Sequence, residues 1–329
     1  MLQTAKPRTS SLVAAFAAVY LVWGSTYWAI KLGLDSLPPF LLGGFRFLLA
    51  GALLLAWARW SGLGRPTVMH WRAAGVTGIL MLLIGNGAVI LAERRAPTGL
   101  VALIVTTVPI WMVLLDWLRP GGRRPSAAIF LGLGAGLLGI VLLVDPGAAL
   151  GAAGVPPLEA GLLVIGGIAW AAGSLYSRSG NAPGPAPLLA ALQMLVAGTA
   201  FLAVATVAGE WTGFRPGAVT LQAWLAVLYL ALFGSVIAFS AYVWLVRVTT
   251  PTRASTYAYA NPVVAVTLGA ILGGELVTGK VLLAGLVLLG AVLLINLGDH
   301  LGDGARRFGR RAARIVRFPD GRPTGRRAA

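Results

Sequence analysis

The sequence predicts an all-α polytopic membrane protein, with ten transmembrane helices in two inverted five-helix repeats and both termini in the cytoplasm. The prediction rests on the composition, on long apolar runs and on an internal repeat. Of the 329 residues, 58% are hydrophobic and only 11% are charged, whereas about a quarter of the residues of an average soluble domain are charged. A helix needs about 20 apolar residues to cross the hydrocarbon core of a bilayer. Runs of that kind follow one another along almost the whole chain.

The apolar runs define the predicted spans in chain order. The first run is a spanning helix and not a secretory signal, because its apolar core exceeds the usual ~7–15 residues. It also continues into Trp23 and Lys31 without a small-residue cleavage site. The ten predicted spans are residues 12–32, 40–58, 73–92, 98–118, 126–144, 158–176, 187–208, 221–246, 254–273 and 281–298.

The basic residues predict the orientation. If the N-terminus is cytoplasmic, the cytoplasmic segments before the tail carry eleven Lys and Arg residues and the opposite loops carry five. Cytoplasmic loops of membrane proteins are enriched in these residues, so both termini are expected inside. An even number of spans also requires the termini to share a side. Arginine outnumbers lysine 23 to 3, a bias typical of GC-rich bacterial genomes.

An internal repeat relates the two halves of the chain. A shift of 147 residues places Trp23 on Trp170, and a shift of 153 places Pro109 on Pro262. Each copy contains five spans, and five is odd, so the second copy enters the membrane from the opposite side. Inverted repeats are characteristic of secondary transporters, with the substrate site near the midplane between the repeats. The predicted units are a cytoplasmic N-terminus (residues 1–11), a first repeat (12–144), a second repeat (158–298) and a basic cytoplasmic tail (299–329).

The net charge of +16 does not indicate nucleic-acid binding, because the basic residues are dispersed over loops and the tail. The tail could lie on the membrane surface, attracted to anionic lipid, or be a disordered segment that fixes the topology. We expect a small-molecule substrate and no nucleic-acid partner. The sequence leaves monomer and homodimer both open.

The residues that would support catalysis are missing from the predicted spans. There is no cysteine, and the two histidines, His70 and His300, fall in a loop and in the tail. No metal-ligand cluster or ATP-binding P-loop pattern is present, so we expect no metal and no cofactor. The acids Glu93, Asp116 and Glu275 fall at predicted helix ends. Proton coupling therefore has no obvious carrier, because a buried intramembrane carboxylate is its usual device.

Arg46 interrupts the apolar run from Pro38 to Trp57 and is the first candidate site residue. A charge inside a spanning helix costs about 2.5–3.5 kcal/mol on insertion scales, so Arg46 is expected to face the bundle interior or a wet cavity. Its repeat equivalent is Gln193. One interpretation is a gate or an anion anchor, since a guanidinium can bind a carboxylate through two hydrogen bonds. The other is structural, with Arg46 satisfying free carbonyls or pairing with Asp35 or Glu93.

Trp23 and Trp170 occupy equivalent, nearly central depths. Tryptophan usually lies at the membrane interface, so this deep pair predicts either cavity walls that stack on a substrate or core packing. Ser25, Thr26 and Ser174 follow on the same turns. Their small hydroxyls are candidate substrate contacts, or they allow close helix approach.

Asn86 lies near the middle of the third span, and Tyr257 and Asn261 share one face of the ninth because they are four residues apart. These three residues are expected either to contact substrate or to bond neighbouring helices. Pro109 and Pro262 hold equivalent positions in the two repeats. A proline frees a carbonyl one turn earlier, so both are predicted helix breaks, where transporters tend to bind substrate.

The chain resembles the EamA-type drug/metabolite transporters, and most closely their YedA-like members. The likeness covers about residues 11–298. It implies a ten-helix bacterial inner-membrane carrier that exports amino acids, metabolites or drugs, with a cavity lined by helices 1–4 and 6–9. The stretches that carry it are WGSTYWAIKLGLDSLPPFLLGGFRFLLAG (Trp23–Gly51), GNGAVILAE (Gly85–Glu93), TVPIWMVLLDW (Thr107–Trp117), YLALFGSVIAFSAYVWL (Tyr229–Leu245) and YAYANPVVAVTLGAILGGE (Tyr257–Glu275).

The chain departs from the family pattern at one acidic position. Family members often carry a Gly-Glu pair after the fourth and the ninth helix. Gly274 and Glu275 keep the pair in the second repeat, whereas Gly122 stands at the matching place in the first. Asp116 is near that place but out of register, so the family role is not transferred to it.

The predicted function is a secondary transporter that works by alternating access, and not an enzyme. Two alternatives remain. A membrane-embedded lipid-modifying enzyme would need paired acids or histidines. A lipid scramblase or channel-like facilitator would need a polar lateral groove or a continuous polar stripe.

Overall fold

The computed structural model describes residues 8–120, 122, 125–143, 155–178, 183–287, 289–291 and 293–294. All regular secondary structure of these residues is helical. The basic tail at 299–329, with the predicted lipid contact and His300, lies outside the described residues. Most of the predicted N-terminal segment, the linker between the repeats and the end of the tenth span lie outside them as well.

Seven helices of the described residues are long and apolar enough to cross a membrane, and three apolar helices are shorter. The shorter ones, α5, α9 and α10, coincide with the predicted fifth, ninth and tenth spans. They are shorter than the seven candidate spans, so their length does not confirm that they cross the membrane. In chain order the helices are α1 (Thr9–Leu34), α2 (Pro39–Trp60), α3 (Val68–Ala92), α4 (Thr98–Leu118), α5 (Ala127–Leu143), α6 (Pro157–Arg178), α7 (Ala186–Val207), α8 (Leu221–Val248), α9 (Tyr257–Gly273) and α10 (Gly279–Ala291).

Helices α2 and α7 form the closest pair, and glycines make the approach possible. A Cβ atom at Gly43 would lie 2.7 Å from the ring of Phe201, and one at Gly51 would lie 2.9 Å from the backbone nitrogen of Leu195. Residue numbers rise along α2 as they fall along α7, so the two helices are antiparallel. Small residues at such interfaces let backbones approach closely where lipid supplies no hydrophobic driving force.

Two further pairs of helix contacts are equivalent in the two halves of the chain. Helix α1 runs antiparallel to α8, with the indole nitrogen of Trp23 donating to the carbonyl of Gly234 at 2.9 Å. Helix α6 packs in the same way on α3, where a Cβ at Gly166 would lie 2.7 Å from the Cβ of Ala88. Likewise α1 meets α9 at Gly24, and α6 meets α4 at Gly167.

Helices α3 and α8 each contain a π-helical segment, and the two begin 152 residues apart, at Gly78 and Leu230. The offset lies within the repeat shifts read from the sequence. The segments are Gly78–Asn86 and Leu230–Phe239. Their wider winding redirects side chains relative to an α-helix, and such segments occur frequently at functional sites.

The helix breaks also recur in both halves, but only the break in the first half lies within one turn of its proline. Helix α4 is interrupted at Thr106 and Thr107, and Pro109 lies in the first turn of the segment that follows. In the second half the turn at 255–256 separates a short helix (Pro251–Ala254) from α9. Pro262 lies inside the continuous helix α9. The prediction of a break at Pro262 is therefore wrong, because the chain turns before the proline and helix resumes through it.

Candidate functional site

A cavity of about 690 Å³, part of it continuous with the outside, lies between helices from both halves of the chain. Helices α1–α4, α6, α8 and α9 contribute its lining. The resemblance also implied the seventh helix, but α7 contributes no lining residue. Seven predicted site residues line the cavity: Trp23, Thr26, Arg46, Asn86, Trp170, Tyr257 and Asn261.

The guanidinium of Arg46 is only 3% exposed and is held by neutral partners. Its Nε donates to Ser235 Oγ at 3.0 Å, and its Nη1 donates to Asn86 Oδ1 at 3.2 Å. Neither Asp35 nor Glu93 forms an ion pair with it. No carboxylate oxygen of the described ranges lies within 4 Å of it. The structure thus places a buried positive charge at the cavity without a counter-ion from those ranges.

The two partners of Arg46 come from the two π-helical segments. Asn86 ends the segment in α3, and Ser235 lies in the segment of α8 and also donates to the carbonyl of Leu230 at 2.9 Å. Each half of the chain therefore contributes one π-helical segment whose side chain accepts a hydrogen bond from the guanidinium. The backbone of α8 also packs closely on the guanidinium, because a Cβ atom at Gly234 would lie 3.1 Å from Nη2 of Arg46.

Four aromatic side chains form a wall next to the cavity. The ring centroid of Trp23 lies 5.5 Å from that of Trp170, 5.1 Å from Tyr242 and 4.7 Å from Tyr257. Tyr242 also packs on Trp170 and Tyr257, at 5.5 and 5.3 Å. All five pairs are edge-to-face or tilted, and aromatic quadrupoles favour such arrangements over face-to-face stacking.

The polar atoms of this wall bond to each other. Trp170 Nε1 donates to the hydroxyl of Tyr242 at 3.0 Å, and Ser174 Oγ lies 2.8 Å from the same hydroxyl. Ser174 also donates to the carbonyl of Trp170 at 2.7 Å. Ser174 therefore supports the wall from behind and is not among the lining residues.

Ser25 and Gln193, two further predicted site residues, do not line the cavity. Ser25 Oγ donates to the carbonyl of Val22 at 2.7 Å and lies 2.6 Å from the hydroxyl of Tyr229 in α8. Gln193 Nε2 donates to Thr77 Oγ1 at 2.6 Å, which joins α7 to α3. The repeat equivalent of Arg46 thus bonds a neighbouring helix.

Asn261 lines the cavity and also joins α9 to α1. With its amide oriented by the surrounding acceptors, its nitrogen donates to the backbone carbonyls of Tyr20 and Tyr257, each at 3.1 Å. On the α1 side, Thr26 Oγ1 donates to the carbonyl of Trp23 at 2.7 Å. The polar atoms of Asn261 and Thr26 are therefore engaged within the bundle.

Glu275 joins three helix ends at one end of the bundle. Its carboxylate pairs with Lys31 of α1 at 3.0 Å and accepts from the backbone nitrogens of Thr98 and Gly99 at 3.0 and 3.3 Å. A carboxylate is favourable there, because the first turn of α4 presents unpaired N–H groups. Gly274 adopts a left-handed φ of +64° that ends α9 and turns Glu275 back towards α4. These contacts give the Gly-Glu pair of the second repeat a structural role.

Glu93 follows α3 directly and is 4% exposed. Neither of its carboxylate oxygens has a hydrogen-bond partner in the described part of the chain. Burial raises the pKa of the Glu93 carboxyl well above its usual value, while the positive charges of Lys31 and Arg46 oppose that rise.

The sequence missed two residues of this region, Ser235 and Tyr242, and assigned Glu93 only to a helix end and to a possible pairing with Arg46. Ser235 and Tyr242 belong to the stretch Tyr229–Leu245 that carries the resemblance, but one serine or tyrosine in an apolar run gives no depth or direction. The central position of Tyr242, away from either interface, is the signal that would have identified it. Glu93 was assigned to a helix end, and its burial follows only from the packing.

The chain matches the sequence profile of the EamA-like transporter family twice, over residues 10–145 and 158–297. It is 40% identical over 291 residues to the inner membrane transporter YedA of Escherichia coli (strain K12), and the match covers 88% of this chain and 92% of YedA. YedA is itself described as uncharacterized.

More distant relatives are also similar over most of their length. The probable amino-acid metabolite efflux pump of Salmonella typhimurium (strain LT2) is 26% identical over 276 residues, covering 79% of this chain and 86% of the pump. Protein PecM of Dickeya dadantii (strain 3937) is 28% identical over 283 residues, covering 83% and 88%. A solved crystal structure superposes with a TM-score of 0.66 at 24% identity, covering 90% of this chain and 99% of the other. That likeness shows a shared fold.

Proposed function

The chain belongs to the EamA-like transporter family, and on that premise we propose that it exports a small organic solute that carries a carboxylate. Family and relatives are transporters and not enzymes, and the chain is a multi-pass inner-membrane protein. The amino-acid metabolite efflux pump among its relatives supports export and an amino-acid-like solute.

The proposed architecture has ten spans in two inverted repeats, with both termini in the cytoplasm. The double match of the family profile supports two related halves. Antiparallel packing of α2 on α7, which are equivalent in the repeat, supports their inversion. The π-helical segments at equivalent positions of α3 and α8 support it further. Such symmetry gives two related shapes, one open to each side, which is the basis of alternating access.

The observation that carries the substrate class is the buried Arg46 at the cavity. A guanidinium has five N–H donors, and two of them are engaged, both with neutral partners. A buried charge is costly unless it is paired, and the remaining donors suit the two oxygens of a carboxylate. We therefore assign the substrate carboxylate to Arg46.

The aromatic wall is assigned to the rest of the solute. Trp23, Trp170 and Tyr257 present ring surface to the cavity, and rings of this kind pack on apolar groups and attract cations. Asn86 and Asn261 line the same space. Together they suit an amphipathic solute with an anionic end, as an amino acid has.

No observation favours a scramblase. A second groove, between α4, α9 and α10, is lined by apolar residues and two threonines, Thr106 and Thr267. Phospholipid headgroups need a polar path, and among the described residues this groove offers none.

The test is transport by the purified full-length protein in phospholipid vesicles loaded with the proteinogenic amino acids, followed by chromatography of the released solutes. We expect efflux of at least one amino acid above that of protein-free vesicles. The matching amino-acid amide, which lacks the anionic carboxylate, should not be carried. Equal efflux of acid and amide would refute the assignment of Arg46. Absence of efflux for every solute would refute the proposed function.

A further inference from the structure

Glu93 differs from the other buried acid of the described chain in having no partner. Glu159, also 4% exposed, pairs with Arg95 at 3.4 Å. Both oxygens of Glu93 are buried and receive no hydrogen bond from any described group. An ionised carboxylate in that position is strongly disfavoured, and burial without partners favours the neutral acid. Binding of the solute by Arg46 and the aromatic wall assigns no role to Glu93.

Glu93 is not itself a lining residue but lies one turn beyond Val89, the last residue of α3 that lines the cavity. Asn86 and Val89 line the cavity, and residues 86, 89 and 93 follow the i, i+3, i+7 spacing of one helix face. The backbone from Gly87 to Ala92 is regular α-helix, so Glu93 lies about 10 Å beyond Asn86 along the axis at 1.5 Å per residue. The carboxyl group is thus on the cavity side of α3, about two turns from the Arg46 site.

Four ionisable groups from three other elements interact electrostatically with Glu93. Lys31 of α1, Glu275 after α9 and Arg46 of α2 act on its carboxyl group, and Glu93 in turn acts on Tyr27 of α1. Both cations are engaged elsewhere, Lys31 with Glu275 and Arg46 with Ser235 and Asn86. Neither cation is therefore available to pair with an ionised Glu93 in this conformation, which favours the neutral acid. A shift of α1 or α2 that freed either cation would favour the carboxylate instead.

We propose that Glu93 is a proton-binding site that takes up and releases one proton in each transport cycle and so couples solute export to a proton gradient. One carboxylate oxygen of Glu93 forms an O–H bond with a proton from a hydronium ion on one side of the membrane, and the hydronium ion becomes water. After the halves have rearranged, this O–H bond breaks and the proton passes to a water molecule on the other side, which becomes hydronium. This inference rests on the proposed function, since a coupled proton requires a transported solute.

The first experiment measures the proton and needs no solute. Infrared difference spectra of the full-length protein in vesicles are recorded from about pH 5 to about pH 10, a range that extends beyond the pKa of about 8–9 documented for buried glutamates. We expect the carbonyl band of a protonated carboxylic acid to titrate in the wild type. Glu93→Gln should lack that band. Asp116→Asn, which alters an acid paired with Arg119 at 2.6 Å, should keep it. A wild-type protein without the band, or Glu93→Gln with it unchanged, overturns the proposal.

The second experiment measures coupling. Efflux of the amino acid identified in the transport assay is compared with and without a pH gradient across the vesicle membrane. We expect the gradient to stimulate efflux several-fold in the wild type, in Asp116→Asn and in Glu93→Asp, which retains an acid. Glu93→Gln should retain solute exchange without a gradient and lose the stimulation. Equal stimulation in Glu93→Gln overturns the proposal.

The outcomes separate this proposal from the proposed function. Solute efflux that ignores the pH gradient in the wild type leaves the exporter intact and overturns the proton site. No efflux of any amino acid overturns the exporter, and the infrared titration then decides by itself whether Glu93 binds a proton.

Discussion

Replacement of Arg46 by glutamine tests the substrate site most directly. The variant removes the only charge that lines the cavity among the described residues and keeps an amide of smaller reach. A hydrogen bond to a charged group contributes about 1.5–3 kcal/mol, against about 1 kcal/mol for a neutral one. Loss of a two-bond contact, partly replaced by the amide, should therefore cost about 2–4 kcal/mol of substrate binding. That corresponds to a roughly 30- to 700-fold weaker affinity.

Folding should change much less than binding. The variant loses the two hydrogen bonds that the guanidinium donates to Ser235 and Asn86, together worth about 3–6 kcal/mol for a charged donor. It also removes a buried unpaired charge, whose desolvation is unfavourable. The two effects have opposite signs, so the thermal unfolding of the variant in vesicles should resemble that of the wild type.

The assay compares the concentration dependence of amino-acid and amino-acid-amide transport in both proteins. Arg119→Gln is the matched control, since it alters an arginine that pairs with Asp116 and does not line the cavity. Arg46→Gln should lose the preference for the acid, and the control should keep it. A well-folded Arg46→Gln protein with wild-type affinity and wild-type preference would refute the carboxylate site.

Three further variants test the surroundings of the site. Trp23→Phe loses the hydrogen bond to the Gly234 carbonyl and should lower the free energy of unfolding by about 1–3 kcal/mol. The control Trp60→Phe changes a side chain that is 88% exposed and should leave that free energy unchanged. Equal melting temperatures of the two variants would contradict a stabilising role for the Trp23 hydrogen bond. Gly234→Ala places a Cβ atom 3.1 Å from the guanidinium of Arg46 and should impair transport in a folded protein. The control Gly134→Ala, whose Cβ would have no atom within 4 Å, should transport normally. Normal transport by both variants would contradict a steric effect on Arg46. Glu275→Gln should cost about 1 kcal/mol of stability, a loss that shrinks at high salt; a salt-independent melting difference would contradict an electrostatic role.

Several features of the fold could be predicted because they depend on local sequence. Apolar runs must form helices in lipid, where every backbone group has to be satisfied within its own segment. The repeat shifts of 147 and 153 bracket the 152-residue offset of the π-helical segments. Arg46 could be assigned to the interior because a charge facing lipid is costly.

The face of each helix that points into the bundle could not be predicted. Lipid tails are as apolar as leucine, so these helices carry no clear amphipathic pattern to show which face lies inward. Gln193 illustrates this, since it is polar and equivalent to Arg46 but bonds Thr77 outside the cavity lining. The π-helical winding of α3 and α8 adds a rotation that a constant helical period cannot give.

The sequence by itself determined the membrane class, the duplicated architecture and the polar residues that must be sheltered from lipid. Only the tertiary structure decided what those residues meet. Arg46 finds Asn86 40 residues away and Ser235 189 residues away. Glu93 becomes a buried acid because other helices close around it. Burial and pairing are set by contacts between distant segments, and the local pattern of one segment does not contain them.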